Sequence, residues 1–151
     1  MGLIGNIKMK KKMNKDKIQY VDGFLFSPDY KHVVLIRKNR PANQNGLLNG
    51  VGGRIELDET PAEAMKREFY EEAGLVIDSW KEYAIMNGDN WEVYFYYAIS
   101  EDYNLVKSKT DEKIEIHYLF DLGNINVIPN LRWLIPMAID PNHSYCVITS
   151  N

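Results

Sequence analysis

Three glutamates on one predicted helix have the spacing of a metal-binding group. Glu68, Glu71 and Glu72 stand three and four residues apart, which places their carboxylates on the same side of an α-helix. Like charges at this spacing destabilise an isolated helix, and Arg67 offsets only part of that repulsion. Carboxylate oxygens suit Mg²⁺ or Mn²⁺ better than they suit soft metals. The cluster therefore predicts a divalent-cation site, with an ordinary solvated acidic face as the alternative.

Glycines lie shortly before this helix in the sequence. Gly52 and Gly53 precede the loop that leads into the helix, and the lack of a Cβ lets a glycine backbone approach another group closely. We therefore expect a backbone carbonyl of this pair to reach the same metal ion as the glutamates. Glu59 adds another carboxylate just ahead of the helix.

Start and stop signals define the helix that carries the glutamates. Thr60 and Glu63 form a T-x-x-E capping box, Pro61 suits the first helical position, and Gly74 suits the C-terminal end. A second, shorter helix disturbed by Pro136 is predicted for residues 131–139.

Strands are predicted where β-branched and aromatic residues form runs bounded by turn residues. These runs cover residues 18–26, 32–36, 75–77, 82–86, 91–99, 114–120 and 145–149. The first two predict a hairpin, because a Ser-Pro-Asp turn follows the first run. Strands and helices in this order predict an α/β fold with a mixed sheet flanked by helices.

The segment 53–75 resembles the Nudix box, G-x5-E-x7-R-E-U-x-E-E-x-G-U, in which U is a bulky apolar residue. All seven fixed letters match. Phe69 departs from the aliphatic residue that is usual at the first U, which concerns local packing more than chemistry. The resemblance implies a Nudix-type α/β/α sandwich with a mixed β-sheet. We assign residues 18–151 to this Nudix hydrolase domain and expect residues 1–17 to be a basic, flexible segment.

The resemblance also implies an activity and its residues. Nudix hydrolases cleave a nucleoside diphosphate linked to another moiety, with water attacking phosphorus in the presence of Mg²⁺ or Mn²⁺. Matched position by position, the metal would be held by Glu68, Glu71, Glu72 and the carbonyl of Gly52. Glu68 or Glu71 would accept the proton of the attacking water, Arg67 would hold a glutamate of the cluster, and Glu59 would support the loop.

A further metal ligand is expected from a loop before a late strand, as is frequent in the family. Glu112 is the candidate that we prefer to Asp111 and Glu115. The alternative is a solvated loop carboxylate without a role.

The segment 48–54, L-N-G-V-G-G-R, resembles the N-G-x-G-G-K segment of Nudix enzymes that clear oxidised purine nucleoside triphosphates. This resemblance implies that Asn49 reads the base, and that Asn130 and Trp133 bond to it and stack on it. A core position is the alternative for Trp133. Leu48 departs from the pattern, because those enzymes usually have tryptophan there.

A nucleoside triphosphate, oxidised or not, is the favoured substrate, with the monophosphate and pyrophosphate as products. ADP-ribose or another nucleotide sugar is the alternative substrate. A non-catalytic module that binds a nucleotide or RNA is a third reading, although such modules usually lose glutamates of the box and this chain keeps them.

Other aromatic and sulfur-containing residues do not suggest a site. Trp91, Tyr94, Tyr96 and Tyr97 belong to an alternating strand pattern and are expected in the core. Cys146 is the single cysteine, so the chain cannot form an internal disulfide. One cysteine also disfavours a zinc site or redox chemistry.

Composition and charge indicate a folded protein of one domain with an acidic body. The 151 residues allow one domain, and 45% hydrophobic and 26% charged residues are close to the globular average. Residues 1–17 have a net charge of +5 and residues 18–151 a net charge of −8, which together give −3. An acidic body disfavours polyanions, so we expect no stable nucleic-acid complex. With no apolar run of about 18 residues, we also expect no membrane association, a cytoplasmic location, and a monomer or homodimer.

Overall fold

The computed structural model describes residues 17–150. The prediction of a flexible N-terminal segment therefore lies outside the described residues, apart from Lys17. The strands within the described range are β1 (Ile18–Phe26), β2 (His32–Arg37), β3 (Leu48–Asn49), β4 (Val51–Arg54), β5 (Lys81–Asn87), β6 (Trp91–Ile99), β7 (Lys113–Tyr118) and β8 (Cys146–Thr149). The α-helices are α1 (Pro61–Ala73) and α2 (Leu131–Ile139), and short 3₁₀ turns cover Ala42–Gln44, Glu101–Leu105 and Leu119–Asn124.

All of these strands join one mixed sheet with β1 near its centre. β1 pairs in parallel with β6 along its whole length and antiparallel with β2 and β4 on its other edge. Beyond β6, the sheet continues through antiparallel β5 to parallel β8. Beyond β2, it continues through antiparallel pairing to β3 and β7. The pairing of β1 with β2 confirms the predicted hairpin.

The two α-helices pack on opposite faces of this sheet. Val21 and Leu25 of β1 belong to the core cluster that contains the buried residues of α1. Phe24 and Phe26 belong instead to the cluster that contains the buried residues of α2. Because successive side chains of a strand point to opposite faces, each helix covers one face. This α/β/α arrangement confirms the predicted fold class.

Helix α1 begins and ends where its capping residues predict. The Thr60 side chain accepts a hydrogen bond from the Glu63 N–H, and the Glu63 side chain accepts one from the Thr60 N–H. Gly74 ends the helix with a left-handed φ of 71°. Phe69 is fully buried, with its ring centroid 5.1 Å from that of Trp80. The aromatic residue at this box position is thus accommodated by core packing.

The predicted strand at residues 75–77 is wrong. Residues 75–80 form an irregular connection from α1 to β5. Ile77 is buried there, so its apolar character serves the core without strand pairing. These residues cannot pair with β5, the next strand along the chain, because β6 occupies one edge of β5 and β8 occupies the other.

Other boundaries shift by a few residues. The strand predicted for residues 114–120 is β7, which ends at Tyr118 and is followed by a 3₁₀ turn. The glycine-rich stretch forms the short strands β3 and β4 rather than turns alone. Helix α2 runs through Pro136, with Leu131, Leu134 and Ile135 fully buried; their burial offsets the backbone hydrogen bond that proline cannot make. No helix within residues 17–150 has the length and apolar character needed to cross a bilayer.

An ion pair between β2 and β7 leads to a prediction about stability. Arg37 donates from Nε and Nη2 to the two carboxylate oxygens of Glu115, at 2.5 and 2.8 Å, and His117 lies 2.8 Å from Glu115 Oε1. The bonds from Arg37 lower the pKa of Glu115 from 4.5 to about 2. A depressed folded-state pKa stabilises the protein above pH 4.5, and this contribution is lost as the pH falls toward 2.

We expect Glu115→Gln to lower the free energy of unfolding by roughly 1 kcal/mol at pH 7, after allowance for solvent screening of a partly exposed pair. The difference in the free energy of unfolding between variant and parent should shrink as the pH is lowered from 4.5 to 3. Urea unfolding at pH 7 and at pH 3 measures it. Glu101→Gln is the matched control, because Glu101 is exposed and has no ion pair among residues 17–150. An equal loss at pH 7 and pH 3 would contradict the assignment to the ion pair.

Candidate active site

The guanidinium group of Arg67 in α1 donates hydrogen bonds to three carboxylates. Its Nε and Nη2 donate to the two oxygens of Glu59, at 2.6 and 2.9 Å. Its Nη1 donates to Glu68 at 2.8 Å and to Glu71 at 3.1 Å. The bond from Arg67 lowers the pKa of Glu59, and the same bond raises the pKa of Arg67. Nη2 also donates to the Arg54 carbonyl at 3.1 Å, which ties the end of β4 to the helix.

Glu68 lies in the narrow space between α1 and β4. A Cβ on Gly53 would come within 2.6 Å of both carboxylate oxygens of Glu68, so the glycine provides the room that this carboxylate occupies. Burial raises the pKa of Glu68 above its ordinary value; Arg67 opposes this rise, and the charges of Glu71 and Glu72 add to it. The carboxylate is thus held in a partly desolvated position beside the glycine strand.

Glu72 is the second half-buried carboxylate of the cluster. Its Oε2 accepts a hydrogen bond from the Thr110 hydroxyl at 3.1 Å. Burial raises the pKa of Glu72, Thr110 and Lys38 lower it, and the nearby charges of Glu112 and Glu71 raise it further. The glutamates of the cluster therefore repel one another, as the helical spacing predicts.

Glu112 lies near this cluster, but its oxygens are already bonded. Oε1 accepts from Lys38 Nζ at 2.9 Å, and Oε2 accepts from the Asn39 N–H at 2.6 Å and the Arg40 N–H at 3.4 Å. Burial acts to raise the pKa of Glu112, but these bonds outweigh it and the pKa lies below its ordinary value. Glu112 therefore anchors the loop after β2, and its role as a metal ligand stays a prediction that requires Lys38 to move.

The chemistry of the donor set suits Mg²⁺ or Mn²⁺. Glu68, Glu71 and Glu72 offer hard carboxylate oxygens, and burial disfavours the charged forms of Glu68 and Glu72, which a bound cation would favour. Among the described residues, no three acidic, histidine or cysteine side chains converge as a ready-made cation site. The reason is that Arg67 draws Glu68 and Glu71 to itself, whereas Thr110 holds Glu72. Metal binding would therefore require these carboxylates to turn.

A cavity of about 430 Å³ lies beside the glycine strand β4. Gly52 and Gly53 of β4 line it, and Gly53 also adjoins the Glu68 carboxylate. Cavities of roughly 300 to 1,000 Å³ with apolar walls and a few polar groups are typical of small-molecule sites. Here the walls include Trp91 and Phe95, and the polar groups come from Asp22, Lys38, Asn49 and Asn130.

Two buried polar atoms of this cavity have no hydrogen-bond partner. Three such side-chain atoms occur within residues 17–150, namely Asp22 Oδ1, Asn130 Oδ1 and Trp80 Nε1, and the first two belong to residues that line the cavity. Burial raises the pKa of Asp22 to about 8, although Lys38 and a backbone bond at Gly23 lower it. Asn130 stands at the N-cap of α2, yet its side chain makes no capping bond.

A comparison with known protein families identifies the family of this chain. A family model described as the NUDIX domain matches residues 17–136. The chain belongs to the Nudix domain family. The match confirms the family that the box motif indicated, and with it the prediction of a Nudix hydrolase. A search of curated proteins found no match for this Nudix domain.

Solved structures share the fold of this Nudix domain. A MutT structure from work on Aliivibrio salmonicida and Vibrio cholerae has a TM-score of 0.70 at 20% identity, and the match covers 82% of this chain and 97% of the other. The Nudix domain of Shewanella oneidensis NrtR, in complex with ADP ribose, has the same TM-score and identity and covers 83% and 88%. MutT from Bacillus halodurans has a TM-score of 0.64 at 17% identity and covers 87% and 86%. At these identities, the likeness shows the fold alone.

The structure brings two of the three predicted substrate-binding residues of the Nudix domain to the cavity. Asn49 on β3 and Asn130 before α2 both line it. Trp133 does not line it, and its side chain is 41% exposed. The buried face of α2 is formed by Leu131, Leu134, Ile135 and Ala138. Trp133 lies off that face, so the core position considered for it is wrong, and its stacking role stays a prediction.

Sequence reasoning missed Asp22 and Trp91 as cavity residues. Trp91 was expected in the core with Tyr94, Tyr96 and Tyr97. Tyr94 and Tyr96 are buried, but Tyr97 is only partly buried, and Trp91 is half-buried and lines the cavity. The alternating pattern of β6 separates Trp91 and Phe95 from the two buried tyrosines, and could have shown that they share a face. It could not show that this face borders a cavity, which depends on the parallel pairing of β6 with β1.

Proposed function

We propose that this Nudix domain hydrolyses a nucleoside triphosphate to the monophosphate and pyrophosphate, with Mg²⁺ or Mn²⁺ as cofactor. One observation carries the proposal: Gly53 of β4 lines the cavity and at the same time adjoins the Glu68 carboxylate. A nucleotide whose base occupies the cavity would have its phosphates beside the glutamates of α1. This arrangement combines base recognition with a site for phosphate chemistry.

Each box residue has a role in this proposal. Glu68, Glu71, Glu72 and the Gly52 carbonyl would hold the cation, with Glu112 as a further ligand if Lys38 releases it. A bound divalent cation neutralises phosphate charge and lowers the pKa of a coordinated water molecule. Glu68 or Glu71 would accept the proton of the attacking water.

Arg67 and Glu59 act as positioning residues in the same scheme. Arg67 keeps Glu68 and Glu71 on the side of the helix that faces the site. Glu59 accepts both from Arg67 and from the Glu56 N–H at 3.0 Å, so it fixes the loop between β4 and α1. Loss of either contact would disperse the carboxylates.

ADP-ribose is the second candidate substrate. It is supported by the NrtR Nudix domain, which was solved with ADP ribose and shares the fold at a TM-score of 0.70. A nucleotide-binding module without activity is a third candidate. Retention of Glu68, Glu71 and Glu72 together favours hydrolysis over binding alone.

A substrate panel tests the proposal. The protein is incubated with nucleoside triphosphates, dinucleoside polyphosphates, ADP-ribose and nucleotide sugars, with Mg²⁺ or Mn²⁺, and products are identified by mass. We expect a nucleoside monophosphate and pyrophosphate from a triphosphate, and no product when a chelator is present. Cleavage of ADP-ribose to AMP and ribose 5-phosphate, without triphosphate cleavage, would select the second candidate. No product from any compound would leave the binding module as the better account.

A further inference from the structure

We propose that Asp22 is a specificity-determining residue that selects nucleobases with an exocyclic amino group by accepting a hydrogen bond from that group. The inference rests on the proposed nucleotide-binding function and assigns a residue that is outside the Nudix box to the base site. It concerns the choice of base and not the hydrolysis of the phosphate chain.

The first support is the unpaired oxygen of Asp22. The residue is only 8% exposed, and its Oδ1 is buried without a hydrogen-bond partner. A buried polar atom without a partner is costly and rare in folded proteins. Lys38 lines the same cavity, but its ammonium group donates to Glu112 instead. A ligand in the cavity would give Oδ1 the partner that the chain does not.

The second support is that the surrounding backbone fixes Asp22 in place. In the sheet, Asp22 stands opposite Gly52 of β4 on one side and Phe95 of β6 on the other. A Cβ on Gly50 would lie 2.1 Å from Asp22 Oδ1 and 2.8 Å from the ring of Phe24. Glycine at position 50 thus leaves the space that the carboxyl group fills, and strand pairing on both sides keeps the group in the cavity wall.

The third support is the kind of hydrogen-bonding groups that line the cavity. Asp22 and Asn130 each contribute an unpaired oxygen; an amide oxygen accepts, and a carboxyl group keeps acceptor capacity when it is protonated. Two acceptors suit an amino group, which carries two N–H donors. Asn49 Oδ1 already accepts from the Gly50 N–H at 2.8 Å, so its amide NH₂ remains as a donor for an acceptor on a base. A base without an amino group would leave the Asp22 oxygen unpaired.

Binding of nucleoside monophosphates in the presence of a chelator tests this without hydrolysis or metal. Titration calorimetry compares GMP with IMP, and AMP with the monophosphate of unsubstituted purine riboside. The members of each pair differ by one amino group. For the parent protein, we expect the amino-bearing member of at least one pair to bind about tenfold more tightly or better, because a site built to pair with a donor rejects the analogue that lacks it.

Three variants complete the test. Asp22→Leu should bind both members of the pair with equal affinity, whereas Asp22→Asn, which retains an acceptor oxygen, should keep the preference. Asp102→Leu changes an exposed aspartate in the turn after β6 and should keep it as well. Asp22→Val replaces Asp22→Leu if thermal melting shows that the leucine variant is unfolded.

The outcomes separate this inference from the proposed function. Equal binding within both pairs by the parent protein, no binding of any monophosphate, or a preference that survives in Asp22→Leu or Asp22→Val would overturn the inference. Amino-dependent binding that is lost in those variants, together with no hydrolysis in the substrate panel, would overturn only the proposed activity.

Discussion

Glu72→Gln is expected to lower the turnover of the preferred substrate by at least about a hundredfold while the fold stays intact. Glutamine removes the negative charge that a cation ligand supplies, but it keeps an oxygen that can accept the hydrogen bond from Thr110. The lost charge is half-buried and close to the charges of Glu71 and Glu112, so its removal relieves repulsion. Steady-state kinetics at saturating Mg²⁺ and thermal melting measure the two effects.

Glu63→Gln is the matched control for this variant. Glu63 lies on the same helix, but its side chain caps the N-terminus, and glutamine serves equally well in a capping box. Its turnover should equal that of the parent. Parent-like turnover in Glu72→Gln would remove Glu72 from the set of metal ligands, and a loss of the folded state would show that its role is structural.

Gly52→Ala is expected to destabilise the protein by about 3 kcal/mol or more, which is the upper part of the range for overpacking. A Cβ at position 52 would lie 1.9 Å from the carbonyl oxygen of Val21 and 2.9 Å from the Cα of Asp22. These are backbone atoms of β1, which is paired with β4 on one edge and with β6 on the other. Because they cannot rotate away as a side chain can, β4 must separate from β1 locally. Urea unfolding at pH 7 measures the loss.

Gly123→Ala is the control for a glycine that needs no space. A Cβ there would meet nothing within 4 Å, so the free energy of unfolding should change by less than about 0.5 kcal/mol. If Gly52→Ala unfolds at the same urea concentration as Gly123→Ala, the close approach of β4 to β1 is not as tight as described. Activity should also fall in Gly52→Ala, since the same strand borders both the cavity and Glu68.

Features that depend on local sequence could be predicted well. The start and end of α1 follow from Thr60, Glu63 and Gly74, whose effects act within a few residues. The strand at Trp91–Ile99 likewise follows from its own pattern of aromatic and β-branched residues. The box glutamates meet at one side of the helix because a single helix carries them.

Features that depend on distant pairing could not be predicted. Residues 75–77 have a strand-like composition, but strand formation also requires a free sheet edge, which a sequence pattern does not reveal. Asp22 comes from β1, whereas Asn130 comes from the start of α2, so their meeting at one cavity requires the complete sheet. The bonds from Lys38 and two backbone amides to Glu112 were missed for the same reason, since they join segments more than seventy residues apart.

The alternation along β1 separates the proposed base site from the packing that supports α1. Val21 and Leu25 support the helix that carries the glutamates, whereas Asp22 and Phe24 face the opposite side of the sheet. Under the proposed role of Asp22, a mutation at position 22 would change base recognition while Val21 and Leu25 keep their packing in the cluster that contains α1. Recognition could therefore change through one residue of β1 with the Nudix box unaltered.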